Sequence, residues 1–403
     1  MIQLYAGFGL SDITPDYLGR PLMGYGNRQS GAEGVHDSLW SRALVMRAGS
    51  AAWALCAVDF CWISATTVAK VREKVSQQTD LAPAAIIVAA VHTHSGPNDL
   101  DEANWAGSLA DLIAASIVSA WRALEPARLA VGSGFLYGHS LNRRWFDRPV
   151  DPAVSVLRID NAAGEILGTV INFACHPVVL GADNLAISAD FVGYARDEVE
   201  AELGGVCVFT NGACADVNPL TQGVGRQLAE RRSFRTMSRD GEYYGSSSNS
   251  IEIEDRIGGT FEEAAIIGHC VAQEALYVAE GLSGIISDSS PWHLQLWVNH
   301  LEDGEALIET SAIGIGDFVM IAQPGEIFVE SGLALKSELR RRGYRYPWVI
   351  SYADDWQFYL TPANVFHEGG YEVERARDMN HSPDLPDRLL EAMIDAIDLQ
   401  SRT

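Results

Sequence analysis

The apolar residues of this chain fall in short runs separated by amphipathic stretches. "AAWALCAVDF" (51–60) is almost wholly apolar and reads as a buried strand. "ATTVAKVREKVSQQ" (65–78) spaces its apolar residues as a helix does, and "AIIVAAV" (85–91) is a second buried strand. Strand, helix and strand make a βαβ unit, which predicts parallel strands joined by a right-handed crossover. Asp59 and His92 then stand at the carboxyl ends of two strands, the edge of an open α/β sheet where ligands bind. Further strands are expected at 165–175, 206–210 and 317–323, delivering His176, Asn211 and the turn Pro324-Gly325-Glu326. Helices are expected at 103–124, 190–203, 260–281, 329–342 and 385–398. The fold class predicted is α/β.

The segment 221–258, with "SRDGEYYGSSSNS", is polar and rich in glycine and serine, so it reads as a surface loop or lid. Arg226, Arg231, Arg232 and Arg235 lie on its early part, where they suit a carboxylate or phosphate on a substrate as well as they suit solvent. No internal repeat or linker stands out, and one domain over residues 1–403 is expected.

Charge narrows the partners. A net charge of −24 argues against nucleic acid and against stable association with an anionic membrane. No run reaches the ~18 apolar residues of a membrane span, and "MIQLYAGFGLSDITPD" lacks the pattern of a secretory signal. A cytoplasmic location is the expectation. The six cysteines (56, 61, 175, 207, 214, 270) lie in or beside apolar runs without a CxxC pair, and are expected to be buried free thiols.

Candidate chemistry gathers at strand ends. In "VAAVHTHSGPNDL" (88–100) His92 and His94 stand where an apolar run meets a turn. The motif alone leaves three roles open: metal ligands, acid–base groups, or polar residues bonded to loop backbone. His176 ends another strand and Glu326 a third, and two histidines with a carboxylate match the three-ligand pattern of catalytic zinc. "GFGLSD" (7–12) lacks the third glycine and the helix of a dinucleotide loop, and neither HExxH nor GxSxG occurs.

Taken in order, "GFGLSDITP", "LMGYGNRQSGAEGVHDSLWSRALVM", "HTHSGP", "LNRRW", "NFACHP", "SADFVGYA", "NGACADVNP" and "PGE" resemble the neutral ceramidase family from about residue 5 to about 372. The resemblance implies a layered domain of mixed, partly parallel sheets flanked by helices. It also implies one Zn²⁺ per chain held by His92, His176, Glu326 and Tyr359, with His94, Arg143 and Tyr371 as catalytic residues. Gly24, His36 and Asn218 fall on the substrate-binding side. The family pattern has serine where this chain has Asn218, so a hydroxyl nucleophile is excluded there; Asn218 is expected to hold the "DVNP" turn instead. The chain reads as a short bacterial-type member without the family's C-terminal β-sandwich.

The implied chemistry is hydrolysis of a carboxamide, an N-acyl amine, by a zinc-activated water. Arg143 and Tyr371 would stabilise the oxyanion, and His94 would carry a proton to the leaving amine. Low charge affinity for lipid surfaces favours a small soluble amide over ceramide as the substrate. Ester or lactone hydrolysis, true ceramidase activity, and a zinc-stabilised binding protein without catalysis are the alternatives.

Overall fold

The computed structural model describes residues 3–282, apart from 27, 29, 146, 223 and 225–258, and residues 289–400, apart from 302 and 303. Residues 225–258 of the expected lid, with its four arginines, therefore lie outside the described residues.

Eight strands form the main sheet: β1 (Tyr5–Asp12), β2 (Trp40–Ala48), β3 (Ala51–Val58), β4 (Ile86–Ala90), β5 (Glu125–Phe135), β6 (Ala153–Asn161), β7 (Ile166–Phe173) and β8 (Val206–Asn211). Their spatial order is β8-β7-β6-β5-β1-β2-β3-β4. The two halves join only where Tyr5 and Ala6 of β1 face Pro126 and Glu125. Beyond that narrow join the sheet doubles back, and β8 packs across β2, β3 and β4. Leu44, Leu55 and Ile87 of one half share a buried core with Leu157, Ile171 and Phe209 of the other.

Helices cover both outer faces. The pair α1 (Ala65–Ser76) and α2 (Leu109–Arg122) lies on the first half, and α3 (Phe191–Leu203) with α4 (Phe261–Gly281) lies on the second. Val68, Ile113 and Ile117 fill the space between the first helix pair and Val45, Ala54 and Cys56. The expected βαβ unit is present: β3 and β4 are parallel, Ala54 facing Ile86, with α1 between them in the chain. The helix expected from residue 103 starts later, at Leu109 after Ser108, because Gly107 and Ser108 separate it from a single 3-10 turn at Glu102–Asn104.

A second sheet runs β9 (Pro291–Asn299), β10 (Leu307–Ile315), β11 (Phe318–Ala322) and β12 (Tyr346–Ile350), antiparallel except for the last pair. α5 (Val329–Arg341) and α7 (Leu385–Gln400) cover it through Leu335, Leu339, Leu389 and Met393. Between them α6 (Tyr371–Asp378) begins after Gly370. Asp59 is not a ligand-facing group: it takes both Arg196 guanidinium nitrogens, at 2.6 and 2.8 Å, inside the core. All six cysteines are free thiols, five of them buried.

Candidate metal centre

Two strand ends and one short bridge bring the donors together. β4 is followed by His92, whose backbone has φ +73°, a conformation rare for a residue with a Cβ and one that concentrates at functional sites. β7 is followed, three residues past its end, by His176. Because the sheet doubles back, the two imidazole centroids lie 4.7 Å apart. The third donor comes from the two-residue strand Glu326–Ile327, which pairs in parallel with Tyr359–Leu360 and sets Glu326 opposite Tyr359.

The hydrogen bonds fix which ring nitrogen does what. His92 Nδ1 donates to the Cys61 carbonyl at 2.5 Å, and His176 Nδ1 donates to the Cys214 carbonyl at 2.7 Å. Each Nε2 therefore presents a lone pair to the centre. Glu326 Oε2 lies 3.1 Å from His176 Nε2 and 3.7 Å from His92 Nε2. Three electron-pair donors thus face one another in a buried site, with Arg143 Nη1 3.3 Å from His176 Nε2. The arrangement fits a zinc ion, with N and O ligands oriented by a second layer of carbonyls.

Electrostatics agree with that fit. Burial is the largest cause that lowers His92, to about 3, so the imidazole is neutral as a ligand must be. Burial also raises Glu326 to about 7, against the pull of His92 and Arg143, so without a metal its carboxyl keeps its proton into the neutral range. The Tyr359 hydroxyl bonds Glu326 and accepts from Arg143 Nη2 at 2.9 Å; burial holds that phenol well above its usual range.

Arg143 is buried and spent on several partners at once. Its Nε donates to Glu372 Oε1 at 3.1 Å and its Nη1 to Asn218 Oδ1 at 3.4 Å. Glu372, fully buried, also takes Arg144 at 2.5 Å, and it follows Tyr371 in the first turn of α6. Guanidinium and Tyr371 ring thus share one anchor. Tyr371 stands edge-on to Tyr359, with centroids 5.7 Å apart.

His94 is half-buried beside the centre, its Nε2 donating to the His92 Nε2 lone pair at 3.1 Å. Tyr25 meets its ring edge-on at 4.8 Å, and Arg28 donates to its carbonyl at 3.0 Å. Gly24 has φ +98°, and a Cβ there would run into the His94 ring. These groups wall a cavity of about 650 Å³, together with Trp62, Trp356 and Phe358. Trp62 and Trp356 stack at 4.9 Å and form an apolar side of it.

His92, His94, Arg143, Glu326, Tyr359, Tyr371 and Gly24 line this cavity, and His176 stands behind it against Glu326. Two of the substrate-side candidates stand elsewhere. His36 is off the cavity wall: Gly34–Val35 pairs with Ala186–Ile187, which carries His36 onto the Phe261 ring, stacked at 3.7 Å. Asn218 is also off the wall; it lies in a short strand, Val217–Pro219, paired with Ser140–Asn142, just past the turn that the Val217 N–H closes onto Cys214 O. Its side chain positions Arg143.

Sequence reasoning missed Tyr352, which stacks on His92 at 3.9 Å and reaches Glu326 with its hydroxyl at 3.5 Å. It also missed Cys61, Arg28 and Glu372. Only "YEVE" offered a signal, an acid next to the expected Tyr371.

A layered α/β scaffold with a buried two-histidine, one-carboxylate cluster at the edge of a cavity is the class of protein that these observations define. The pattern described as neutral/alkaline non-lysosomal ceramidase, N-terminal, matches residues 4–280. The chain belongs to that family. It is 27% identical over 246 residues to a neutral ceramidase of Pseudomonas aeruginosa, covering 53% of this chain and 36% of that protein. A neutral ceramidase of Mycobacterium tuberculosis is 28% identical over 239 residues, 50% of this chain and 37% of its own length. The matches thus span little more than a third of these relatives. The crystal structure of the Pseudomonas aeruginosa neutral ceramidase superposes with a TM-score of 0.78 at 19% identity, covering 100% of this chain and 75% of that one, which establishes the shared fold. No helix among the described residues is long and apolar enough to cross a membrane.

Proposed function

We propose that this protein is a zinc-dependent hydrolase of N-acyl amines, with one Zn²⁺ held by His92, His176, Glu326 and Tyr359. The observation that carries the reading is the orientation of the two imidazoles, each with Nδ1 bonded to a carbonyl and Nε2 turned toward Glu326. Zinc, when bound, supplies Lewis acidity that brings the pKa of a water to ~7. Arg143 and Tyr371 face the same cavity and supply donors for the carbonyl oxygen as it gains charge, an effect that can reach ~3 kcal/mol per donor. His94, on the cavity wall, takes up the proton that the attacking water gives up and passes it to the leaving amine, which otherwise departs as a poor anion. The aromatic wall excludes water from one side of the cleft.

The preferred substrate in this reading is a soluble amide with an apolar portion, since the cavity has the size of ordinary small-molecule sites, ~300–1,000 Å³. The second reading is ceramide, favoured by the names of the curated relatives. The deciding assay compares kcat/KM for short N-acyl amines and esters with that for long-chain ceramide in detergent micelles, after metal analysis of the purified protein. About one zinc per chain and faster turnover of a soluble amide are expected. A higher kcat/KM for ceramide than for every soluble substrate assigns ceramidase activity to this chain, and absence of stoichiometric metal removes the zinc reading.

Zinc uptake should depend on pH with a definite sign. Glu326 in the metal-free protein keeps its proton up to about 7, whereas the neutral His92 competes for none until about 3. Binding zinc below pH 7 therefore releases about one proton from Glu326, and affinity falls by roughly tenfold per pH unit in that range. Calorimetry in buffers of differing ionisation heat counts that proton. A pH-independent affinity from about pH 5 to 7 would contradict the assignment of Glu326.

A further inference from the structure

We infer that Asn211 is a positioning residue that sets both histidines of the metal centre at once, an inference that rests on the zinc reading above. Asn211 closes β8 and is completely buried. Its Nδ2 donates to the Val91 carbonyl at 3.1 Å and to the Cys175 carbonyl at 3.1 Å. Those carbonyls belong to the peptide groups immediately before His92 and His176. Its Oδ1 accepts from the Cys175 N–H and from the Cys214 thiol, both at 3.3 Å. Both donor positions and both acceptor positions of the amide are used.

The other side of each peptide group is fixed as well. The His92 N–H donates to Phe60 O at 2.8 Å, and the His176 N–H donates to Val217 O at 3.1 Å. Each histidine thus leaves a peptide plane held at both its oxygen and its hydrogen. For His92 this matters most, because its φ of +73° is the strained torsion that turns the ring toward the centre. One amide nitrogen ties the two halves of the doubled sheet together at the point where the ligands leave it. Asn211 touches neither metal nor substrate, so its effect on the reaction passes through His92 and His176.

The substitution Asn211→Asp keeps the size and both acceptances but turns a carboxylate toward two carbonyls, losing both donated bonds. Its matched control is Asn172→Asp. Asn172 is also buried and bridges strands, through Thr210 O, Thr210 Oγ1 and Val349 O, but it bonds neither peptide before the histidines. Zinc affinity is read by competition with a chromophoric chelator, the melting temperature of the zinc-free protein is read alongside, and the ligand-field spectrum is recorded with cobalt(II) in place of zinc.

Asn211→Asp is expected to weaken zinc binding by ~10–100-fold and to alter the cobalt bands, as loss of orienting groups around a metal does. Asn172→Asp should lower the melting temperature while leaving affinity and spectrum at wild-type values. If Asn211→Asp does not fold, Asn211→Ala removes the same donor without adding charge and takes its place. Wild-type affinity in the Asn211 variant, or an equal loss in the Asn172 control, overturns the positioning role and leaves the zinc site standing. A wild-type protein that binds no zinc overturns both.

Discussion

Replacing His176 with alanine is expected to strip the protein of its metal. The side chain is buried, its Nδ1 held at 2.7 Å by Cys214 O, so no other group moves easily into its place. Structural zinc sites with four ligands are worth ~10–16 kcal/mol, so losing one ligand removes on the order of 3 kcal/mol, about a hundredfold or more in affinity. The same holds for His92→Ala, which also removes the ring stacked on Tyr352 at 3.9 Å. Elemental analysis after dialysis, with chelator competition for the affinity, gives the readout. Retention of about one zinc by either variant, at an affinity near that of the wild type, contradicts the ligand assignment.

The substitution His94→Ala should behave in the opposite way. His94 lies 3.1 Å from His92 Nε2 and lines the cavity, but both carbonyl-oriented imidazoles of the centre are His92 and His176. Zinc should remain at wild-type stoichiometry while kcat drops by ~10²–10⁴-fold, the usual worth of a positioned general acid. Amides should suffer more than activated esters, because an ester with a good leaving group needs little protonation. If His94→Ala releases zinc and His92→Ala keeps it, the two histidines have exchanged roles. Equal loss for amides and activated esters would instead make His94 a binding group.

Much of this centre was readable from the chain. His92 and His176 follow apolar runs long enough to be recognised as strands, and the sheet then sets their position. Glu326 was readable for the same reason, standing just past "DFVMIAQ" at the end of β11. Tyr359 was reached only through resemblance, because its strand is two residues long and carries no periodic signal. Tyr352 and Cys61 escaped since irregular segments set their contacts: Cys61 lies in the loop after β3, and an isolated bridge between Ala89 and Ala353 brings Tyr352 over the His92 ring. His36 stands off the cavity for a local reason: a two-residue bridge directs the backbone before it. Periodicity reports which residues face a core, and says nothing of how two sheet halves fold onto one another.

The narrow join between those halves has a consequence for how the molecule is held shut. Only two residue pairs stitch β1 to β5, so most of the closure relies on burial and on a few cross-links between distant segments. His92 leaves one half and His176 the other, 84 positions apart, and a cation between them would close that loop as a staple does. Tethers of long loops remove the most freedom from an unfolded chain. The ion would then act as a tether on folding, with chelation loosening the two halves against each other while the helices on each outer face stay in place.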